Sequence, residues 1–242
     1  GPVAAAFLQD RTFWDPEHGV LGNGSFVKLL RGPVGSGKSV ACVIDLLMTA
    51  LQQQPDDDGW RRSRFLIARR TLPELRTTTA KTWLEWISED LGPFSWSAPF
   101  KHEVVLHAQK VEFEAWFMSI ADDSDDVLDR LRSFELTAAW LNEGREHNKR
   151  VVDVITERVD RYPSRRRGPG ATYPHVVVDT NAPAEDHWWG IMAGDIPPPE
   201  WMPEEDVKSL VKPKGWTFYT QPGAVEEIKE HGRFTGWKIK NN

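Results

Sequence analysis

Eight consecutive residues, Gly32-Pro-Val-Gly-Ser-Gly-Lys-Ser39, limit the folds open to this chain more than any other feature of its sequence. They follow an apolar run at 26–30 and precede a stretch with helical spacing at 40–53. A G-x-x-x-x-G-K-S segment between a strand and a helix is typical of a phosphate-binding loop, or P-loop. In such a loop, backbone N–H groups curl around phosphate oxygens, the lysine meets the outer phosphates and the serine hydroxyl ligates Mg²⁺.

This pattern predicts a nucleotide site that takes ATP and Mg²⁺. Lys38 is the predicted catalytic cation, and Ser39 is a predicted metal ligand. The residues predicted to bind the nucleotide are Gly32, Pro33, Val34, Gly35, Ser36, Gly37, Lys38 and Ser39.

Strand-like and helix-like segments alternate along the chain. Apolar runs of strand length occur at 26–30, 64–68, 134–141 and 175–179, and stretches with helical spacing occur at 40–53, 73–91 and 146–159. This alternation predicts an α/β fold with a mostly parallel sheet sandwiched by helices. Segments 103–107 and 111–117 alternate apolar and polar residues on either side of a turn, which predicts an antiparallel hairpin.

The expected domain organisation is a P-loop ATPase core over residues 1–210 and a small lid or linker segment over 211–242. In the second segment we expect one more strand, from Trp216, and a short helix. The longest nearly apolar stretch, 40–51, contains Asp45 and is too short to span a bilayer, so no membrane segment is predicted.

A second motif predicts where hydrolysis would occur. The run 134–141 ends at Asn142-Glu143, the layout of a Walker B element in which the glutamate orients the attacking water. A strand at 64–68 that lies between the P-loop strand and this one predicts the subclass of P-loop ATPases that has an additional strand and a dedicated catalytic glutamate. The residue before that glutamate is usually Asp, and Asn142 could hold Mg²⁺ only through a metal-bound water and without charge. The alternative for this pair is a helix-capping turn.

Charge is distributed unevenly along the chain. The sequence has 30 Lys and Arg against 36 Asp and Glu, but residues 61–81 and 144–167 are basic. Basic strips on an acidic chain suit transient contact with a polyanion, and solvated helix faces are an equally good interpretation. Phosphoryl transfer also uses a cation against developing charge. The residues alone do not choose among the candidates Arg130, Arg132, Arg158 and Arg161.

Five segments together resemble the large terminase subunit of tailed bacteriophages, the ATPase that pumps DNA into empty capsids. They are Gly32–Ser39, Ala68–Thr78, Ala139–Arg145, Arg161–Ser164 and Asp179–Pro183. The resemblance implies that Glu143 is the catalytic glutamate and that Thr180 and Asn181 form the coupling motif that senses the terminal phosphate. It also implies that Arg132, at the head of the Walker B strand, is an arginine finger acting in trans, in the nucleotide site of the next subunit of a ring.

This sequence differs from the family's pattern, or matches it only weakly, in two places. Members often carry an arginine inside the P-loop at the position of Val34, and Arg31 lies outside the loop. The family's adenine contacts lie upstream of the P-loop, where Gln9, Phe13 and Trp14 are weak candidates.

The family's partners and setting follow from the same resemblance. It implies that the protein binds double-stranded DNA, the portal protein of the procapsid and the small terminase subunit. It also implies self-association into a ring that acts as a pentamer. It also implies a viral protein of the host cell cytoplasm that is not a stable component of the virion. Full-length relatives add a nuclease domain. This chain ends at Asn242, too soon for one, so we expect no nuclease activity.

Acidic and aromatic clusters have plainer interpretations. We expect the acidic residues at 122–126 to form an exposed loop rather than a metal centre. Twelve tryptophans invite the idea of base stacking, but core packing is the default for Trp83, Trp86, Trp140 and Trp188.

The rival functions are another DNA-dependent ATPase, such as a helicase or recombination motor, and a nucleotide-gated switch that does not hydrolyse ATP. A small-molecule kinase is less favoured, because no acceptor site is evident.

Overall fold

The computed structural model describes residues 2–11, 14–15, 20–21, 24–181, 187–223, 225–230 and 233–239. The strands within these ranges are β1 (Trp14–Asp15), β2 (Val20–Leu21), β3 (Val27–Arg31), β4 (Arg61–Arg69), β5 (Phe94–Ser95), β6 (Phe100–Leu106), β7 (Val111–Ser119), β8 (Ala138–Asn142), β9 (His175–Thr180), β10 (Trp216–Thr220), β11 (Val225–Glu230) and β12 (Arg233–Ile239). The α-helices are α1 (Pro2–Gln9), α2 (Lys38–Gln52), α3 (Leu72–Glu74), α4 (Ala80–Trp86), α5 (Asp125–Arg132), α6 (Lys149–Thr156), α7 (Trp188–Ala193) and α8 (Glu204–Ser209).

An eight-stranded sheet in the order β10-β3-β9-β8-β4-β7-β6-β5 organises the chain. Each pairing from β10 across to β7 is parallel, and β6 and β5 add an antiparallel edge. Strands β1 and β2 form a separate antiparallel pair, as do β11 and β12. The prediction of a mostly parallel sheet is therefore confirmed, as is the hairpin, which is formed by β6 and β7.

Two hydrophobic clusters cover the two faces of the sheet, because neighbouring strand residues point to opposite sides. On one face, Leu30 and Ile67 pack with Cys42 and Leu46 of α2 and with Trp83 of α4. On the other face, Leu29 and Leu66 pack with residues of α5, α6 and α7. Helices thus sandwich the sheet as the sequence predicts. The described helices are all too short or too polar to cross a membrane.

A buried ionic cluster fixes α1 and α2 to the sheet. Asp45 of α2 has no exposed side-chain area and accepts hydrogen bonds from Lys28 of β3 at 2.7 Å and from His175 of β9 at 2.6 Å. The Lys28 ammonium also donates to the carbonyls of Phe7 and Asp10 at 3.3 and 3.2 Å. Burial raises the pKa of Asp45, but the charge of Lys28, the interactions with His175 and the charge of Arg11 together outweigh that effect, and the pKa lies below its usual value.

Four details of the sequence prediction are wrong. The predicted strand 134–141 is β8, which begins only at Ala138, so Arg132 ends α5 rather than heading the strand. The helix predicted at 73–91 includes a π-helical stretch, Leu75–Thr79, and ends at Trp86. Trp83 and Trp140 are fully buried and Trp188 is half-buried, but Trp86 is 52% exposed. The strand between β3 and β8 in the sheet is β9, whereas the 64–68 run, in β4, lies on the far side of β8.

The segment predicted as a lid or linker, 211–242, is also placed differently. Residues Trp216–Thr220 form β10, which pairs in parallel with β3, so this part of the segment belongs to the core sheet and not to a separate unit. Beyond it, the expected short helix is replaced by β11 and β12. The alternation Trp-Thr-Phe-Tyr predicts a strand, but it does not show which edge the strand joins.

Replacing Asp45 with Asn should destabilise the protein, because Lys28 would keep its charge in the core without a carboxylate. Removing one partner of a buried ion pair costs about 3–5 kcal/mol. Urea unfolding followed by circular dichroism measures this cost. The matched control is Asp153→Asn, which breaks the partly exposed i,i+4 pair with Lys149 and should cost less than about 0.5 kcal/mol. Equal losses in the free energy of unfolding would show that this cluster stabilises the protein no more than a partly exposed ion pair does.

Candidate functional site

The P-loop leaves β3 and turns directly into α2, as its flanking residues predict. Gly35 and Gly37 have φ angles of 75° and 82°, in the left-handed region that favours glycine. No side chain caps the N-terminus of α2, so its first N–H groups are free to bind an anion. Within the described residues, the buried Ser36 hydroxyl oxygen has no hydrogen-bond partner. These uncapped and unpartnered polar groups fit the phosphates of a nucleotide.

The parallel pairing of β3, β9, β8 and β4 brings their carboxyl ends to one edge of the sheet, where α/β folds bind ligands. The register aligns Arg31 with Thr180, and Asp179 with Asn142. The P-loop follows β3, and Glu143 follows β8, at this same edge. Residues that are distant in sequence therefore converge on one site.

A chain of hydrogen bonds joins Lys38 to Glu143 through Asn181. The Lys38 ammonium donates to the side-chain oxygen of Asn181 at 3.0 Å and to the Pro33 carbonyl at 2.8 Å. The Asn181 amide nitrogen donates to Glu143 Oε1 at 2.8 Å, and its backbone N–H donates to Oε2 at 3.3 Å. Burial lowers the pKa of Lys38, and the negative charges of Asp179 and Glu143 oppose that shift.

The backbone holds Glu143 in an unusual conformation. Its φ and ψ angles of 55° and 60° lie in the left-handed region, which is uncommon for a residue with a Cβ atom and frequent at functional sites. The next residue, Gly144, lies against β9, and a Cβ atom there would come within 2.3 Å of Val178 Cγ1. Thr180 is buried and accepts a hydrogen bond from the Arg145 N–H at 3.2 Å. This close approach holds the Glu143 turn against the end of β9.

A buried carboxylate, Asp179, lies beside the predicted metal ligand Ser39. The Ser39 hydroxyl donates to Asp179 Oδ2 at 2.9 Å. The other oxygen, Oδ1, accepts hydrogen bonds from the Trp140 indole at 2.7 Å and the Asn142 amide at 2.9 Å. Burial raises the pKa of Asp179, and the three hydrogen bonds from Asn142, Trp140 and Ser39 act in the opposite direction. Hydroxyl and carboxylate oxygens are ligands that suit Mg²⁺.

Arg69 at the end of β4 organises the other side of Asn142. Its NH1 group donates to Asn142 Oδ1 at 2.8 Å, and its Nε donates to Glu146 Oε2 at 3.1 Å. The Thr79 hydroxyl, at the end of the π-helical stretch, donates to the same Asn142 oxygen at 2.7 Å. Sequence reasoning gave no role to Arg69 or to Asp179. Both stand in segments that carry the family resemblance, and this was the only sequence signal for either residue.

Arg132 is not brought together with the other predicted site residues. It lies in the last turn of α5, half-exposed and paired with Asp129, and its carbonyl accepts a hydrogen bond from Arg158 at 2.7 Å. Helix α5 leads away from the carboxyl edge of β7 toward the start of β8. None of these contacts places Arg132 at its own P-loop, and its trans role stays a prediction.

Other candidates lie apart from the site or outside the described residues. Val34 at the tip of the P-loop is 85% exposed. Gln9 is exposed at the end of α1, whereas Phe13 and the side chain of Trp14 lie outside the described residues. Arg31 pairs with Asp195.

The acidic stretch at 122–126 is largely exposed and runs into the first turn of α5. In the part of the chain that the structure describes, no group of three or more His, Cys, Asp or Glu side chains is arranged to hold a metal ion.

No protein-family model matches this chain, and no curated protein matches its sequence. Solved structures do match. The large terminase from a thermophilic bacteriophage aligns with a TM-score of 0.56 and 11% identity, over 90% of this chain and 44% of that one. The same terminase in complex with ADP aligns with a TM-score of 0.55 and 12% identity, again over 90% and 44% of the two chains.

The chain shares its fold with this phage large terminase. A third structure of that terminase, in complex with ATP-gamma-S, gives a TM-score of 0.52 at 13% identity over 90% of this chain and 44% of the terminase. The chain therefore spans less than half the length of the protein it matches. The predicted α/β fold and the resemblance to large terminases are confirmed at the level of structure.

Replacing Gly144 with Ala should destabilise the protein by about 1–3 kcal/mol, because the new methyl group would overlap Val178. The same change in a Val178→Ala background should cost less, since the overlapping methyl group is gone. Urea unfolding of the two single variants and the double variant gives the coupling free energy, which we expect to be about 1 kcal/mol or more. Additive effects would show that the contact does not constrain the Glu143 turn.

Proposed function

We propose that this chain is an ATP-hydrolysing motor domain that moves double-stranded DNA into a viral procapsid. The observation that carries the proposal is the hydrogen-bonded connection from Lys38 through Asn181 to Glu143. It joins the cation of the phosphate loop to the carboxylate that is expected to orient the attacking water. A site that only binds a nucleotide has no need for this connection.

Each end of the connection has a chemical role. Lys38 and the N–H groups at the start of α2 bind the phosphates, and the Ser39 hydroxyl holds Mg²⁺. Mg²⁺ held by the Ser39 hydroxyl would supply positive charge against the negative charge that develops during phosphoryl transfer. Glu143 accepts a hydrogen bond from the attacking water and orients it, a contribution of about 10²–10⁴ in rate.

Asn181 supplies the coupling between phosphate and water. Its side-chain oxygen accepts from Lys38 and its amide nitrogen donates to Glu143, so both ends of the amide are engaged. When Lys38 turns toward a terminal phosphate, that oxygen loses its partner and the amide can reorient, which changes the support of Glu143. Thr180 and Asn181 thus report the state of the nucleotide to β9.

Arg132 completes a neighbour's site in a ring of subunits. An arginine finger supplied in trans contributes about 10³–10⁵ in rate. The proposal rests here on the half-exposed position of Arg132, remote from its own P-loop, and on the motif resemblance.

The other proposed partners are double-stranded DNA, the portal protein of the procapsid and the small terminase subunit, and the proposed setting is the host cell cytoplasm. These partners and this setting rest on the resemblance of the five motif segments.

Mg²⁺-dependent ATP turnover per chain, measured over a wide range of protein concentration, tests the proposal. We expect turnover to rise with concentration, because Arg132 acts between subunits. Glu143→Gln should lower turnover by about 10²-fold or more, since the amide cannot orient water in the same way. The matched control is Glu89→Gln, which alters an exposed acid far from the P-loop in sequence and should leave turnover unchanged.

The other outcomes separate the alternatives. ATP binding without turnover at any concentration would favour a nucleotide-gated switch. A rate that does not depend on concentration, yet is abolished by Glu143→Gln, would leave an ATPase that works within one chain and remove the role of Arg132. Turnover stimulated by DNA but not by procapsids would favour a helicase or recombination motor.

Mixing two inactive variants tests the trans role of Arg132 directly. Arg132→Ala lacks the finger and Glu143→Gln lacks the catalytic glutamate, so each alone should be slow. In a mixed ring, some interfaces pair the intact Arg132 of one subunit with the intact Glu143 of the next. We expect the mixture to recover turnover well above the sum of the separate variants. A mixture no faster than that sum would contradict a site shared between subunits.

A further inference from the structure

The carboxylate expected next to the metal is missing from its usual strand and present on the neighbouring one. In P-loop ATPases, Mg²⁺ is held by the loop serine or threonine and by an Asp of the Walker B strand. That position is Asn142 here, at the end of β8. Directly opposite it in the sheet, as its Cα partner in β9, is Asp179. Because β9 lies between β8 and the P-loop strand β3, Asp179 is one strand closer to the loop.

We propose that Asp179, and not Asn142, is the carboxylate that holds Mg²⁺ together with Ser39. The inference deepens the proposed function and rests on it. The observation that carries it is the hydrogen bond of 2.9 Å from the Ser39 hydroxyl to Asp179 Oδ2. A cation that binds the Ser39 oxygen therefore has this carboxylate beside it.

The side chain of Asn142 is already fully engaged. Its oxygen accepts hydrogen bonds from Arg69 at 2.8 Å and from Thr79 at 2.7 Å, which uses both lone pairs. Since a guanidinium can only donate, the atom that faces Arg69 must be the oxygen, and the amide nitrogen must face Asp179. Asn142 therefore has no acceptor left for a metal-bound water, and the Arg69 charge beside it disfavours a cation. Its function is to orient Asp179.

The carboxylate of Asp179 is oriented toward Ser39. Hydrogen bonds from Trp140 and Asn142 hold Oδ1 in place, and Oδ2 has Ser39 as its hydrogen-bond partner among the described residues. Oδ2 thus keeps a lone pair on the side of the P-loop. This is the arrangement of an outer-shell support, the Trp140 and Asn142 donors, around a metal-binding carboxylate.

The charge of Asp179 lacks the cationic partners that another fully buried aspartate, Asp45, possesses. Asp45, equally buried, has Lys28, His175 and Arg11 within ion-pair distance. In the described part of the chain, no Lys, Arg or His nitrogen lies within 4.0 Å of Asp179, and its donors are all neutral. A buried carboxylate is costly without a cation, and a divalent ion at Ser39 would supply one.

The test is the gain in ADP affinity that Mg²⁺ provides, measured by titration calorimetry with ADP in Mg²⁺ and in EDTA. In Asp179→Asn, the gain in ADP affinity from Mg²⁺ should be about 10- to 100-fold smaller than in the wild type, which is the usual effect of disrupting the support of a metal. Its affinity for ADP in EDTA should be unchanged or higher, because a negative charge near the phosphates is removed. Paramagnetic resonance of Mn²⁺ in the presence of ADP gives a second readout, as the free Mn²⁺ signal should rise in this variant.

Three further variants sharpen the result. Glu143→Gln removes the same charge nearby and should keep the Mg²⁺ gain. Asn142→Ala should also keep most of it, since Asn142 is a positioning residue. The exchange Asp179→Asn with Asn142→Asp moves the acid to the usual strand and should restore part of the gain. The exchange and Asn142→Ala decide the matter if Asp179→Asn proves unfolded by circular dichroism.

Two results would overturn the inference while leaving the proposed function intact. One is a wild-type Mg²⁺ gain that survives in Asp179→Asn, and the other is a gain that is lost in Asn142→Ala although the protein stays folded. A wild-type chain that does not bind ADP at all would overturn the proposed function, and the inference with it.

Discussion

The parallel pairing of β3, β9 and β8 is the constraint on which the site depends. It brings the P-loop, the Thr180-Asn181 segment and Glu143 to one edge of the sheet, although 105 and 143 residues separate Lys38 from Glu143 and from Asn181 in the sequence. With β9 in the middle, Asn181 can reach Lys38 on one side and Glu143 on the other. A different strand order would leave the same residues unable to act together.

Buried charge has two different functions in this chain. In the cluster of Asp45, Lys28 and His175, the carboxylate is paired with the Lys28 cation and its hydrogen bonds link α2, β3 and β9. Among the described residues, Asp179 is held by neutral donors only and keeps an oxygen beside Ser39. The first arrangement stabilises the scaffold, whereas the second leaves electrostatic energy available to a ligand. Burial strengthens both effects, because charges interact more strongly away from water.

The sequence predicts the parts of this molecule whose signals are local. The P-loop, the strand and helix alternation and the hairpin follow from spacing and turn residues within a few positions. The position of β10, the start of β8 and the π-helical stretch do not, because they depend on contacts between distant segments. Trp86 shows the same limit, since helical spacing identifies a face but not what covers it.

The residues of the site also divide into those that local sequence signals predict and those that they do not. Lys38, Ser39 and Glu143 stand in recognisable patterns, and Asn181 was identified through the family resemblance. Arg69 and Asp179 were missed because their importance lies in partners from other strands: Arg69 contacts Asn142, and Asp179 contacts Ser39. No rule of spacing predicts that a carboxylate opposite a Walker B position takes part in the site. That information is contained in the register of β8 and β9.

Single-turnover hydrolysis by Asn181→Ala tests whether Asn181 couples the phosphate loop to Glu143. With the variant saturated by ATP and Mg²⁺, we expect the chemical step to slow by about 10²-fold or more, while ATP affinity changes by only a few-fold. The loss would fall on the rate because Lys38 still binds phosphate and only the support of Glu143 is removed. An unchanged chemical step in a folded variant would show that Asn181 does not couple the phosphate loop to Glu143.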